Sequence, residues 1–158
     1  MSDVHLRPIT SGNERECLAL RVADDQAGFI ATNARSLEQA KAHPTLVPLA
    51  IYPGAARGYP HPSVPMVGFA MYEVDVGVGS ILRLMIDAQH QGKGYGRAAL
   101  VELIRRLRLM PEVEMIVTSH REGNAAIARL LGQLGFVAWD VTDPALRRAG
   151  EVYLRLLR

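Results

Sequence analysis

The chain has 158 residues, of which 49% are hydrophobic, and this fits one domain spanning residues 1–158 around a single core. Its net charge is only +2 and the basic residues are interspersed with acidic ones, so we expect no nucleic-acid partner. No signal peptide or membrane span is expected, which predicts a cytoplasmic protein. The single cysteine, Cys17, excludes an internal disulfide, and the histidines lack ligand spacing, so no metal is predicted.

Seven strands are predicted from β-branched and apolar runs that are bounded by turn residues. They cover residues 4–9, 46–52, 66–75, 81–86, 115–118, 136–140 and 152–156. Pro8 places the first strand at a sheet edge, because proline cannot donate a ladder hydrogen bond. Residues 53–65, with four prolines, and residues 142–150 are predicted as loops, and residues 120–123 as a shorter one.

Four helices are predicted. Capping-box patterns at Ser11 and Ser36 predict two short helices, the second ending before Pro44. A third helix is expected to begin near residue 95, because apolar residues then recur at helical spacing; they are Leu100, Leu103, Ile104 and Leu107. The fourth is predicted between Asn124, a good N-cap residue, and Gly135, which is well placed to end a helix.

The most informative stretch is a buried strand, a glycine-rich loop and a helix in direct succession. The loop reads Gln91-Gly92-Lys93-Gly94-Tyr95-Gly96. The first N–H groups of a helix lack partners and the macrodipole is positive there, so this arrangement predicts an anion site. Neither the Walker spacing nor the dinucleotide fingerprint G-x-G-x-x-G is present. The remaining interpretation is a pyrophosphate-binding loop of a third kind.

The loop resembles the acetyl-coenzyme A motif Q/R-x-x-G-x-G/A of the GCN5-related N-acetyltransferases, the GNAT family. Asn124 and Gly135-Phe136 also fall where the family's next helix begins and ends. Residues 69–72 and 85–87 are most similar to the bacterial spermine/spermidine acetyltransferase branch. The resemblance implies an α+β fold (α/β by some schemes), with a mixed, mostly antiparallel sheet of six to seven strands. That sheet is splayed between strands 4 and 5 and flanked by about four helices.

The resemblance also implies acetyl-CoA as the acyl donor and places its binding residues. The backbone of Leu84, Met85 and Ile86 would pair with the pantetheine arm and the acetyl carbonyl. The N–H groups from Gly92 to Arg97 would hold the pyrophosphate, and Asn124 would reach the cofactor arm. The complete expected set is Leu84, Met85, Ile86, Gln91, Gly92, Lys93, Gly94, Tyr95, Gly96, Arg97 and Asn124.

The chemistry of amine acetylation requires a proton acceptor. An aliphatic amine with a pKa of about 10.4 is mostly protonated at neutral pH, and supplying its neutral form costs about 4 to 5 kcal/mol. A general base or a water chain is therefore needed. Glu73, which is expected to share a strand face with Val67, Phe69 and Met71, is the first candidate, with Asp75 and Asp87 behind it. A solvated charge at a strand end is the alternative for each carboxylate.

The chain departs from the family pattern at Leu131. Many members carry at this position a tyrosine that protonates the leaving thiolate, and leucine has no proton to donate. Tyr95, His120 or water is then expected to supply the proton. Alternatively no acid is required, because a thiol with a pKa of about 8.5 is a tolerable leaving group.

The acceptor is expected to be a small-molecule primary amine, with a polyamine such as spermine or spermidine as the first candidate. A polyamine favours several carboxylates around a cleft, and Asp24, Asp25, Glu73 and Asp75 are the candidates. Another small amine, an amino acid, an antibiotic or a protein amino group are alternatives, as is a sensor that binds acetyl-CoA without transferring the group. Apolar positions over residues 152–157, expected to be exposed, are compatible with a homodimer.

Overall fold

The computed structural model describes residues 3–54, 64–141 and 148–157. Over these ranges the strands are β1 (Val4–Pro8), β2 (Leu46–Pro53), β3 (Gly68–Asp75), β4 (Val78–Ile86), β5 (Met115–Arg121), β6 (Val137–Ala138) and β7 (Glu151–Leu157). The helices are α1 (Glu14–Ala19), α2 (Asn33–Ala42), α3 (Tyr95–Arg108) and α4 (Ala125–Gln133), with short 3₁₀ turns at Asp24–Gln26 and Ala88–His90. The strands form one sheet in the order β1-β2-β3-β4-β5-β7-β6.

The sheet is antiparallel except between β4 and β5, which run parallel. Their pairing stops at Ile81 opposite Thr118, although β4 continues to Ile86 and β5 to Arg121. The two strands therefore separate, and the predicted splay between strands 4 and 5 is confirmed. The mixed α+β architecture and the edge position of the first strand are confirmed as well.

Each face of the sheet carries its own hydrophobic cluster. On the α3–α4 face, three leucines of α3 pack with Ile81, Ile116 and Leu131; they are Leu100, Leu103 and Leu107. On the α1–α2 face, Phe69, Met71 and Met85 pack with Cys17 and Leu37. Successive residues of β4 point to opposite faces, so Met85 joins the second cluster while Leu84 and Ile86 pack against the first.

The C-terminus of α4 is a Schellman motif. Gly135 adopts the left-handed conformation with φ +99°. The N–H of Phe136 donates to the carbonyl of Leu131 at 3.0 Å, and the N–H of Gly135 donates to that of Gly132 at 3.1 Å. The prediction that Gly135 ends this helix is confirmed, and Asn124 stands at its N-cap position as predicted.

The predicted helix starts at Ser36 and Ser11 are wrong. α2 begins at Asn33, because the hydroxyl oxygen of Thr32 accepts from the N–H of Arg35 at 3.2 Å, and Ser36 is buried inside the helix. α1 begins only at Glu14, after Asn13. The Asn13 side chain instead accepts from the N–H of Thr10 at 2.8 Å, and this local turn delays the helix.

The third correction concerns β5, which includes His120 and Arg121 although both were predicted in a loop. Pairing of His120 with Val152 in β7 extends the strand beyond its apolar part. The expectation of exposed apolar positions on the last strand is also wrong for the side chains described. Val152 and Leu154 are half-buried, Leu156 is buried, and β7 lies between β5 and β6. Residues 55–63 and 142–147, which include most of two predicted loops, lie outside the described residues.

Candidate active site

A cavity of about 390 Å³ lies where β4 and β5 separate, and both faces of the sheet contribute to it. Val22, Phe29 and Ile30 line it from the segment between α1 and α2, while Ile127 and Leu131 line it from α4. Nine of the expected cofactor residues line the same cavity; they are Leu84, Met85, Ile86, Gln91, Gly92, Gly94, Tyr95, Gly96 and Asn124. The cavity thus reaches both faces of the sheet through the splay.

The cavity edge of β4 is open for backbone hydrogen bonds. β4 pairs with β3 along its other edge as far as Ile86, but its pairing with β5 ends at Ile81. Buried or half-buried strand edges require polar partners. Apart from the carbonyls of Leu82 and Ile86, which accept from Arg83 and Gln91, the edge over residues 82–86 therefore fits an extended ligand arm that carries amide groups.

The backbone conformation of the glycine loop favours glycine at two of its three glycine positions. Gly92 and Gly94 have φ +76° and +84°, a conformation that other residues rarely adopt. Gly94 is the N-cap residue of α3, so the partnerless first N–H groups of that helix lie beside the cavity. At Gly96 a Cβ would meet Ile86 at an ordinary 3.7 Å, so space does not require glycine there. The loop fits a phosphate group because its backbone donors and the helix dipole favour negative charge.

Gln91 supports this loop from within the protein. Its side-chain amide donates to the carbonyl of Ile86 at 2.9 Å and to the side-chain oxygen of Gln26 at 2.7 Å. The first bond fixes the loop to the end of β4, and the second fixes it to the 3₁₀ turn between α1 and α2. Gln91 therefore connects the glycine loop to the segment on the α1–α2 face of the sheet.

Asp87 has a similar connecting position and does not line the cavity. Its carboxylate accepts from the N–H of Arg21 at 2.8 Å and from the N–H of Gln89 at 3.3 Å. The Arg21 carbonyl in turn accepts from the N–H of Ala88 at 2.7 Å. Both carboxylate oxygens of Asp87 are thus engaged by backbone donors.

Lys93 and Arg97 line a neighbouring depression of about 330 Å³, which shares Gly94 with the main cavity. Asp3 and Glu102 also line this depression. The Arg97 guanidinium donates to the side chain of Gln133 at 3.1 Å. Both cations stand at the start of α3, just outside the cavity.

The predicted carboxylates lie away from the cavity. Glu73 accepts a hydrogen bond from the Thr45 hydroxyl and pairs with Ser80. Leu84 pairs with Ala70, three residues earlier on β3, so the backbone of Glu73 is about 10 Å from that point along the strand. Asp75 is exposed at the end of β3.

Asp24 and Asp25 are exposed in the 3₁₀ turn that leads into Gln26. Among the described residues that line the cavity there is no aspartate or glutamate. Glu73 does share the α1–α2 face with Phe69 and Met71, but Val67 packs in the cluster on the other face.

The titratable and cationic side chains of the cavity are Arg83, His90, Tyr95 and His120. The half-buried Arg83 donates to the carbonyl of Leu82 at 2.8 Å and to the side chain of Gln39 at 3.2 Å. Burial, followed by the nearby charges of Arg148 and Arg35, lowers the pKa of its guanidinium. His120 Nδ1 lies 2.9 Å from the carbonyl of Arg121.

Several residues that line the cavity were not predicted as site residues, among them Gln26 and Phe29. Phe29 reaches across to the β5–α4 turn, where a Cβ built on Gly123 would lie 3.9 Å from the Phe29 ring. An aromatic residue after a run of polar residues is a usable signal for such a wall. Gln26 has no comparable signal, because its role depends on Gln91, which is 65 residues away.

No helix within the described ranges has the length and apolar character to span a membrane. In those same ranges no three side chains of histidine, cysteine, aspartate or glutamate are grouped to hold a metal ion.

Known proteins that resemble this chain share its fold, and the family profile that matches it includes the glycine loop. A curated relative, the spermine/spermidine N(1)-acetyltransferase of Bacillus subtilis, is 29% identical over 141 residues, which cover 84% of this chain and 87% of the relative. The structure of spermidine N-acetyltransferase from Vibrio cholerae in complex with CoA and spermine superimposes with a TM-score of 0.69 at 16% identity, covering 98% of this chain and 95% of that one.

An aminoglycoside acetyltransferase in complex with coenzyme A gives a TM-score of 0.72 at 21% identity, with 99% of this chain and 95% of that chain covered. These two structural likenesses show the fold. The sequence profile of the acetyltransferase (GNAT) family matches residues 33–136, about two thirds of the chain, which include β4, the glycine loop, α3 and α4. The chain therefore belongs to the acetyltransferase (GNAT) family and is an N-acetyltransferase that takes its acetyl group from acetyl-CoA.

Proposed function

We propose that the protein acetylates a primary amine of a small molecule, which enters the cavity from the α1–α2 face. The observation that carries this proposal is that one cavity is reached from both faces through the splay. The glycine loop occupies one end, while Val22, Phe29 and Ile30 form a wall on the other face. A donor and an acceptor can thus meet at the open edge of β4.

The donor is proposed to lie along that edge. The backbone of Leu84, Met85 and Ile86 pairs with the pantetheine arm, the N–H groups over residues 92–97 hold the pyrophosphate, and Asn124 contacts the arm. Lys93 and Arg97 supply positive charge in the adjoining depression, where a further phosphate group is favoured. The left-handed backbone of Gly92 and Gly94 supports this arrangement.

Among the carboxylates, Glu73 is the first candidate for deprotonating or binding the acceptor amine. The backbone of Glu73 is about 10 Å along β3 from the position paired with Leu84, and Glu73 does not line the cavity. Glu73 is therefore proposed to act through water, or to bind a second cationic group of the acceptor. The hydrogen bonds of Asp87 support a connecting role, and Asp75 is proposed only as a substrate contact.

A polyamine such as spermine or spermidine is the proposed acceptor. Support comes from the name of the Bacillus subtilis relative, whose match covers most of both chains. Further support comes from Asp24 and Asp25, which lie in the same 3₁₀ turn as Gln26. Another small amine, an antibiotic or a protein amino group is the alternative. A cytoplasmic location and a homodimer stay predictions, and light scattering after gel filtration tests the second.

The test is thiol release from acetyl-CoA with purified protein and a panel of amines. The panel contains spermine, spermidine, an aminoglycoside, free amino acids and a peptide with a free N-terminus. Turnover with spermine or spermidine well above the rest supports the polyamine assignment, and turnover confined to another class overturns it. Tight acetyl-CoA binding in calorimetry without acetylation of any amine would instead favour a sensor.

A further inference from the structure

The cavity lacks the proton donor that the family usually places on the fourth helix. Leu131 occupies that position, lines the cavity and is only 1% exposed. Around it α4 presents apolar side chains, including Ile127 and Leu130. A side chain that protonates the leaving thiolate must therefore stand on another element.

His120 lies on the strand that faces the open edge of β4. Thr118, opposite Ile81, is the last residue of β5 that pairs with β4, so His120 lies two residues further along β5, where this strand borders the splay. Side chains alternate along β5, so His120 shares the α3–α4 face with Ile116. The half-buried His120 thus lines the same cavity as the part of β4 proposed to hold the thioester.

The hydrogen bond of His120 fixes its tautomer. Nδ1 lies 2.9 Å from the backbone carbonyl of Arg121, and a carbonyl oxygen only accepts hydrogen bonds. Nδ1 therefore carries the proton and donates it. In the neutral ring Nε2 then has a free lone pair that can take and return a proton.

The other charged and titratable groups around the cavity are placed less well for this task. Tyr95 begins α3 and His90 precedes Gln91, so both stand at the phosphate end, beyond the end of β4. On β7, Val152 pairs with His120, and the neighbouring Glu151 carboxylate is 3.7 Å from the Arg121 guanidinium. Arg83 is a permanent cation and cannot exchange a proton at neutral pH.

We propose that His120 is a catalytic residue that moves the proton between the two reacting groups, in place of the missing tyrosine. This inference rests on the proposed amine acetylation. The neutral amine attacks the thioester carbon, so that a C–N bond forms and the C–S bond breaks. Nε2 of His120 takes the proton that the nitrogen loses and delivers it to the thiolate, which leaves as a thiol. The ring ends in the state in which it began.

The test compares His120→Ala and His120→Asn with His43→Ala, a control at an exposed histidine outside the cavity. Asparagine can still donate to the Arg121 carbonyl but cannot exchange a proton. The kcat of both His120 variants is expected to fall by about 10²-fold or more, with coenzyme A affinity in calorimetry unchanged. Their pH–rate profile should also differ from that of the wild-type protein, because the proton-exchanging ring is absent.

Added imidazole should partly restore kcat in His120→Ala but not in His120→Asn, whose side chain still fills part of the site. A structural role predicts no such rescue. If His120→Ala keeps kcat within about twofold and an unchanged pH profile, the inference is overturned and the amine acetylation stands. A wild-type protein that acetylates no amine would overturn both.

Discussion

The side-chain nitrogen of Gln91 lies 2.7 Å from the side-chain oxygen of Gln26, and this contact joins the glycine loop to the segment between α1 and α2. The backbone of Arg21 is bound to Asp87 and Ala88 beside it. The glycine loop and the segment between α1 and α2, which forms the proposed acceptor wall, are therefore held together by the same few hydrogen bonds. We expect the conformation of each segment to stabilise that of the other.

We expect Gln26→Ala to weaken acetyl-CoA binding by about fivefold, because a typical hydrogen bond contributes about 1 kcal/mol. Gln91→Ala should weaken it more, since that change also removes the bond to the Ile86 carbonyl. Calorimetric titration with acetyl-CoA measures both. Gln89→Ala is the control, because this exposed neighbour participates through its backbone N–H. Fully additive effects of the two changes in the double variant would contradict direct coupling.

A second prediction concerns Asp87, which was a candidate base but has both carboxylate oxygens on backbone donors. Asp87→Ala should lower the free energy of unfolding by about 1 to 3 kcal/mol, because bonds to a charged acceptor are among the stronger ones. Urea denaturation measures this loss, with Glu38→Ala on the exposed side of α2 as control. A variant of unchanged stability with a new pH–rate profile would indicate a base instead.

The sequence predicted correctly the features that depend on residues close to one another in the chain. The run from β4 through the glycine loop into α3 was recovered because helical spacing and left-handed glycines act within a few residues. Gly135 was recovered for the same reason. The helix start at Thr32 was not predicted, because Ser36 matched the capping-box pattern and its burial inside α2 depends on tertiary packing. The length of β5 and the wall at Phe29 depend on partners distant in sequence.

The third prediction tests the close approach of β3 and β4. A Cβ at Gly68 would lie 2.4 Å from the backbone carbonyl of Met85, so Gly68→Ala must displace one of the two strands. A loss of about 1 to 3 kcal/mol in unfolding free energy is expected, together with weaker acetyl-CoA binding because Met85 lines the cavity. Denaturation and calorimetry measure these effects.

Gly132→Ala in α4 is the matched control for Gly68→Ala. Apart from the neighbouring backbone of α4, no described atom lies within 4 Å of its Cβ position, so Gly132→Ala should stabilise the protein by up to about 1 kcal/mol. Equal changes in the free energy of unfolding for Gly68→Ala and Gly132→Ala would contradict the close approach of β3 and β4.

The last prediction concerns Cys17, which has no exposed surface in the cluster beneath α1 and α2. Burial, followed by the charge of Glu14, raises the pKa of its thiol to about 12. At pH 8 only about one thiol in 10⁴ is then ionised, and thiolate is the reactive form. Alkylating reagents should therefore modify Cys17 at pH 8 only after the protein unfolds, which a thiol assay with and without urea measures.

The same shift makes the contribution of Cys17 to stability dependent on pH. In the unfolded chain the thiol ionises near its ordinary pKa of 9.0, whereas the folded protein keeps the proton up to about pH 12. The folded state then binds more protons, and stability falls as pH rises through this window. From pH 8 to 10 the stability difference between wild type and Cys17→Ala should fall by about 1.4 kcal/mol. A difference independent of pH, measured by urea unfolding, would show that the thiol ionises equally well in the folded protein.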